Sequence, residues 1–137
     1  MAVELPEKVR KAIEGPQFWH LATTNPDGSP QVTTIWVMPK DANIIINSAL
    51  GRKKPRNLAR EPRVALSWVD PADGYHSAEI QGRVLESYTG DQAEADIDSL
   101  ADKYLGQSPY PWRAPGEKRI SYVIEPTHVY HQDYSAS

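Results

Sequence analysis

The chain contains no cysteine. That excludes disulfides, thiolate metal sites and a cysteine nucleophile. It also lacks any apolar run approaching the ~18–20 residues of a membrane helix. Its first residues, MAVELPEKVRKAIEG, hold no apolar signal-peptide core, so a cytoplasmic protein without membrane association is expected. Excess positive charge is missing as well. Lys and Arg number 15 against 18 Asp and Glu, a formal net charge of −3. Such a chain attracts phosphate backbones weakly, and no RRM, KH or helix-turn-helix pattern appears. Nucleic acid is therefore not an expected partner. The GxxxxGKS/T spacing of a nucleotide-binding phosphate loop is absent too.

What is present suits one folded domain. The 137 residues are 39% hydrophobic and 24% charged, a globular rather than disordered balance. No repeat or linker divides them. One domain over 1–137 is expected, ordered over about 5–131, with a frayed tail at 132–137.

Leu5, Val9 and Ile13 recur every four residues between Pro6 and Gly15, which predicts a short helix there. β-prone runs follow at Phe18–Thr24, Gln31–Met38 and Asn43–Ser48, separated by turn signals at Asn25–Gly28 and Pro39–Ala42. Arg56–Arg60 predicts one or two helical turns between Pro55 and Pro62. Val64–Val69 and Tyr75–Tyr88 predict two more strands, with Gly82 as a bulge or barrel bend. Asp91–Leu105 carries an apolar stripe at helical spacing, including Ala93, Ile97, Leu100 and Ala101. Gln107–Lys118 is too rich in Pro and Gly for regular structure. Ile120–Ile124 and Thr127–His131 predict a last strand, broken at Pro126. Tight turns between strands imply antiparallel pairing, and a closed barrel avoids exposed edges. The expected fold is mainly β with flanking helices, a barrel of six to seven antiparallel strands.

One segment concentrates the charge. Gly51–Arg63 holds six cations (Arg52, Lys53, Lys54, Arg56, Arg60, Arg63) and one anion, Glu61, a local charge of 6 − 1 = +5. The rest of the chain then sums to −3 − 5 = −8. A charge run is commonly a solvated face. Here it begins directly after an apolar strand, Gly51 allows a sharp turn, and Ser48 can add a hydroxyl. Those features suit an anion pocket at the start of a short helix.

Three segments in this order, HLATTNPDGSPQVTTIWV (His20–Val37), NSALGRKKPRNLAREPRVALSW (Asn47–Trp68) and EIQGRV (Glu79–Val84), resemble a known family. The chain is similar to the split-barrel flavin and deazaflavin oxidoreductases related to pyridoxamine 5′-phosphate oxidase. Within them it resembles the branch that uses the deazaflavin coenzyme F-420. The resemblance covers about residues 5–131. It implies an antiparallel split β-barrel of the FMN-binding type. It also implies a homodimer with the cofactor at the interface, and hydride transfer between the reduced cofactor and a small organic substrate.

By that resemblance, the strand after the DGxP turn, with Gln31, Val32, Thr33 and Thr34, runs beside the cofactor ring. Trp36 reads equally as a ring neighbour or as core. Ser48, Arg52, Lys53 and Lys54 are implied to hold the cofactor phosphate. Asn57 either bonds the cofactor or caps the local turn, and Arg60 and Arg63 read as surface or interface residues. F-420 carries a phosphate and an oligoglutamate tail, whereas FMN carries a phosphate alone, so the +5 segment suits F-420. An FMN-dependent pyridoxamine-phosphate-oxidase-like enzyme and a non-catalytic cofactor carrier are the alternatives.

Because the chemistry would be the cofactor's, no catalytic side chain is expected. Tyr75 and His76 are candidate proton donors, each with a surface role as the plainer reading. Tyr110, Trp112 and Arg113 in SPYPWR are candidates for a pocket wall or a barrel lid. His128 and His131 sit three apart in a strand, hence on opposite faces, and no other His/Asp/Glu cluster is legible, so no metal ligands are expected.

Overall fold

The computed structural model describes residues 2–134. Three helices and seven strands follow one another as α1 (Glu7–Glu14), β1 (Trp19–Thr24), β2 (Pro30–Ile35), β3 (Met38–Lys40), β4 (Asn43–Ala49), α2 (Lys53–Arg60), β5 (Arg63–Asp70), β6 (Asp73–Tyr88), α3 (Asp91–Leu105) and β7 (Arg119–Asp133). The strands form one sheet in the order β2-β1-β5-β6-β7-β4-β3. Every pairing is antiparallel.

The edge strands β2 and β3 are consecutive in the chain, with only Trp36 and Val37 between them. Three Cα–Cα steps reach at most ~11 Å. The two edges of the sheet must therefore lie close together, which curls it into a split barrel. The run expected as one strand over Gln31–Met38 is thus divided, its two parts pairing with different neighbours, β1 and β4. Closing the sheet requires that break. The last strand, in contrast, runs unbroken through Pro126. A register shift there leaves Thr127 without an opposite number, so the missing proline N–H falls at a bulge. Asp133 ends this strand, and Ser135–Ser137 of the expected frayed tail lie outside the described residues.

The barrel interior is apolar. Trp19, Leu21, Ile44, Ile46, Leu66, Ile80 and Ile124 are all essentially fully buried. Trp19 stacks on Trp68 at 5.9 Å and donates its indole N–H to Ala12 O at 3.1 Å, satisfying its one polar atom. That bond fixes α1, whose Val9, Ala12 and Ile13 belong to the same cluster. Gly82 is where β6 crosses β7 most tightly. A Cβ there would meet Glu125 O at 2.8 Å and Ile124 Cγ2 at 2.9 Å. α3 packs on β4 and β7, ending at Gly106 in the left-handed conformation. Among the described residues, no helix is long and apolar enough to cross a membrane.

Candidate functional site

α2 starts where β4 ends, and its position is set by buried polar bonds. Asn57 is 1% exposed, and its Nδ2 donates to Thr23 Oγ1, Asn25 Oδ1 and Gln31 Oε1 at 3.1–3.2 Å. Arg60 donates to the carbonyl of Thr24. These bonds tie the helix to the β1–β2 hairpin, whose turn is closed by Asp27 accepting from Ser29 N and Oγ. Gly51, at φ 94°, makes the bend from β4 into α2. The α2 N-cap, Arg52, has no side-chain cap bond, and the first turn holds no acid. The first N–H groups of a helix lack intrahelical acceptors and favour an anion.

Beside this helix start lies a cleft of ≈ 190 Å³ with one cationic and one aromatic wall. Ser48, Arg52, Lys54 and Arg119 line one side. Burial, then the charges of Arg52 and Arg119, push the Lys54 ammonium down to about 8. Arg119 is 3% exposed. Its Nε donates to Asn47 Oδ1 at 2.9 Å, and its guanidinium sits 5.2 Å above the Tyr110 ring. Its Nη1 lies 3.3 Å from Glu117 Oε2 but off the hydrogen-bond axis, leaving a buried donor without an acceptor among the described residues. Glu117 Oε1 is taken by Arg52 at 3.2 Å. The cleft is lined by three cations and no acid, while Glu117 pairs with two of them, Arg52 and Arg119, from outside the lining. An anion seated here would relieve the repulsion on Lys54 and offer the Arg119 N–H an acceptor.

The other wall is aromatic. Trp36 stacks on Tyr104 at 5.3 Å and meets Tyr110 edge-on at 6.1 Å. Trp112 lies 6.1 Å from Trp36 and is 62% exposed at the mouth. Tyr104 is held by donating its OH to Gln17 O at 2.6 Å and accepting from Val37 N at 3.1 Å. The loop after α3 is pinned by Tyr110 N and Arg113, which both donate to Asp98 Oδ1, and by Arg113 Nε donating to Glu94 Oε1. A planar ring with an anionic arm matches both walls.

Of the nine residues expected at a cofactor site, Thr34, Ser48, Arg52 and Lys54 line this cleft. Val32 shares the outward face of β2 with Thr34 but is open to solvent, while Gln31 and Thr33 alternate toward the other face. Gln31 and Asn57 lie outside the cleft lining, and their amides bond each other and Thr23. Lys53 is exposed and does not line the cleft; its charge acts on Asp27.

Tyr75 and His76, considered as proton donors, do not line it either. The expectation that no His/Asp/Glu cluster exists is also corrected: β6–β7 pairing gathers His76, His131 and Asp133. Sequence reasoning missed Arg119 and Asn47. Arg119 reaches the site because it pairs with Ala49 across β4 and β7, a contact with no local signal. A larger depression of ≈ 540 Å³ lies near Arg63 and Arg83. It has no aromatic lining and its two arginines are paired with Glu61 and Glu125, so it lacks both features of the cleft.

The model of the pyridoxamine 5′-phosphate oxidase family matches residues 5–133. The chain belongs to that family. Among solved structures of similar fold, one described as an F-420 reductase is 32% identical, with a TM-score of 0.81 over 92% of this chain and 98% of its own. A conserved hypothetical protein from Mycobacterium tuberculosis is 20% identical, with a TM-score of 0.73 over 98% and 88%. HutZ, described as the heme storage protein of Vibrio cholerae, is 12% identical, with a TM-score of 0.63 over 95% and 96%. The last two share the fold alone. Membership of the pyridoxamine 5′-phosphate oxidase family and the first likeness support an oxidoreductase of the split-barrel class.

Proposed function

We propose that the protein is an F-420-dependent oxidoreductase that binds the deazaflavin in the cleft between α2, β7 and the loop after α3. The observation that carries this is the convergence of Arg52, Lys54 and the orphaned Arg119 N–H beside an aromatic wall. The 32% identity to a protein described as an F-420 reductase favours the deazaflavin over FMN. When bound, the cofactor supplies the hydride exchanged with a small organic acceptor. The chain's own residues do the rest. Arg52, Lys54, Arg119 and the α2 N–H groups would hold the phosphate, and the Ser48 hydroxyl can donate to it. The Trp36 wall would orient the ring and keep water from it.

In the same reading the chain works as a homodimer. Support comes from Val32 beside the site and Trp112 at its mouth, large apolar side chains 65% and 62% exposed, which a second copy would cover.

Fluorescence titration of the purified protein with F-420 and with FMN tests the cofactor. F-420 should bind more tightly, and raised salt should weaken it more than FMN because of its acidic tail. Tighter FMN binding would overturn the reading in favour of an oxidase of the FMN type. Oxidation of reduced F-420 by candidate acceptors separates an enzyme from a carrier.

A further inference from the structure

At the other end of β6, four titratable side chains meet that the cofactor cleft does not use. His76 and Asp133 are direct cross-strand partners, and His131 lies two residues before Asp133 on the same strand face. All three side chains therefore point one way. The Nε2 atoms of His76 and His131 are 2.9 Å apart, and Asp133 Oδ2 is 4.0 Å from His76 Nε2. Behind them, His76 Nδ1 donates to Asp70 Oδ2 at 2.9 Å. That bond places the His76 proton on Nδ1 and leaves its Nε2 lone pair aimed at His131.

We propose that His76, His131 and Asp133 form a binding site for one divalent transition-metal ion of the zinc type. Two imidazoles and a carboxylate are a donor set that zinc accepts, with water in the fourth position. Metal–ligand bonds of about 2.1 Å put tetrahedral ligand atoms ~3.4 Å apart. Two edges of the triad, 2.9 and 4.0 Å, straddle that spacing, and all three ligand atoms lie within 4.8 Å of one another, so side-chain rotation must draw them in. The Asp70–His76 bond supplies the outer carboxylate that commonly orients a metal-bound histidine.

The rings pack firmly. His76 is buried edge-on against Trp68 at 5.0 Å and tilts against His131 at 5.1 Å. In the metal-free protein, one proton lies between the two Nε2 atoms. On binding, His131 would carry its proton on Nδ1 instead, freeing its Nε2 for the metal. Access comes through an open depression lined by Lys8, Lys11, Asp70 and His76. Lys8 Nζ sits 2.7 Å from Asp133 Oδ2 and must swing aside, which its exposed side chain permits.

The test uses tag-free protein stripped with a chelator. Titration with Co2+ should give the visible bands of a tetrahedral ion, saturating at one ion per chain, and Zn2+ should displace it. His131→Gln and Asp133→Asn should each abolish saturable binding. Asp70→Asn should weaken it by about 10- to 100-fold. Lys8→Met should tighten it, by removing the Lys8 ammonium from Asp133. His128→Gln, on the opposite strand face, should leave it unchanged. Circular dichroism of each variant separates lost ligation from lost folding. Absence of one-per-chain binding, or binding that survives both His131→Gln and Asp133→Asn in folded protein, overturns the site. The cluster is then a hydrogen-bonded histidine pair only.

Discussion

Lys54 is the sharpest probe of the anion grip, because its environment works against its charge. Burial, then Arg52 and Arg119, take its ammonium from the ordinary 10.5 down to about 8. The difference, 10.5 − 8 ≈ 2.5, corresponds to about 3 kcal/mol against the charged form. Residual solvent contact screens part of that, so a cost of about 1–2 kcal/mol to the cofactor-free protein is expected. Methionine keeps most of the apolar stem and removes the charge. Lys54→Met should therefore make the cofactor-free protein more stable, by about 1–2 kcal/mol in urea unfolding at neutral pH. The same change should weaken F-420 binding by about 1–3 kcal/mol, roughly 5- to 150-fold, the loss of a charged hydrogen bond.

pH gives a second handle on the same residue. The folded-state value lies below the unfolded one, so between about 8 and 10.5 the unfolded chain holds a proton that the folded chain has released. Stability of the cofactor-free protein should then rise with pH across that window, and the rise should vanish in Lys54→Met. Cofactor affinity should move oppositely. Its anion needs the ammonium, so wild-type affinity falls as pH climbs past about 8, while the methionine variant stays flat there. A methionine variant that is no more stable, and that binds F-420 as tightly as wild type, would place the phosphate elsewhere and refute the reasoning.

Other consequences follow from single contacts. Arg119→Leu removes the orphaned donor and the cation over Tyr110, and should weaken F-420 by at least the Lys54→Met factor in the same titration. Gly82→Ala forces a Cβ within 2.8 Å of Glu125 O and should lower stability by about 1–3 kcal/mol in urea unfolding. Asp96 is buried and accepts from Tyr88 OH, Ser121 Oγ and Gln92 Nε2. Asp96→Leu strands these donors and should cost about 3 kcal/mol or more, read as a lowered melting temperature.

The elements most legible in the chain were those whose signals are local. Asp91–Leu105 follows its apolar stripe to the residue, and the Asn25–Gly28 turn follows from residues within it. That Ser48, Arg52 and Lys54 lie together was legible for the same reason, since they share one strand end and one helix start. Its remaining parts came from afar. Arg119 is 65 residues beyond Lys54, and only the β4–β7 register brings it there. Lys53 adds to the charge run but is exposed and outside the cleft lining. Asn57 sits inside a motif of polar and charged residues, yet its burial is structural.

The histidines show why the cluster at β7 was not legible from strand spacing alone. In the first half of that strand, Tyr122 and Ile124 face the core, so the inward positions are even-numbered. Simple alternation carried onward would turn His128 inward and leave His131 and Asp133 outside. The extra residue at Thr127 reverses the parity, since Gln81 pairs with His128 but Gly82 pairs with Pro126. Beyond it Val129 packs on the core, and His131 and Asp133 share its face. HVYH thus remains a pair on opposite faces, as its spacing requires, but the relevant spacing is the two-residue step from His131 to Asp133. The third member, His76, lies 55 residues earlier and joins them only through the register that the bulge sets. One inserted residue at Thr127 therefore decides whether His131 and Asp133 face His76 or turn to the opposite side of the sheet.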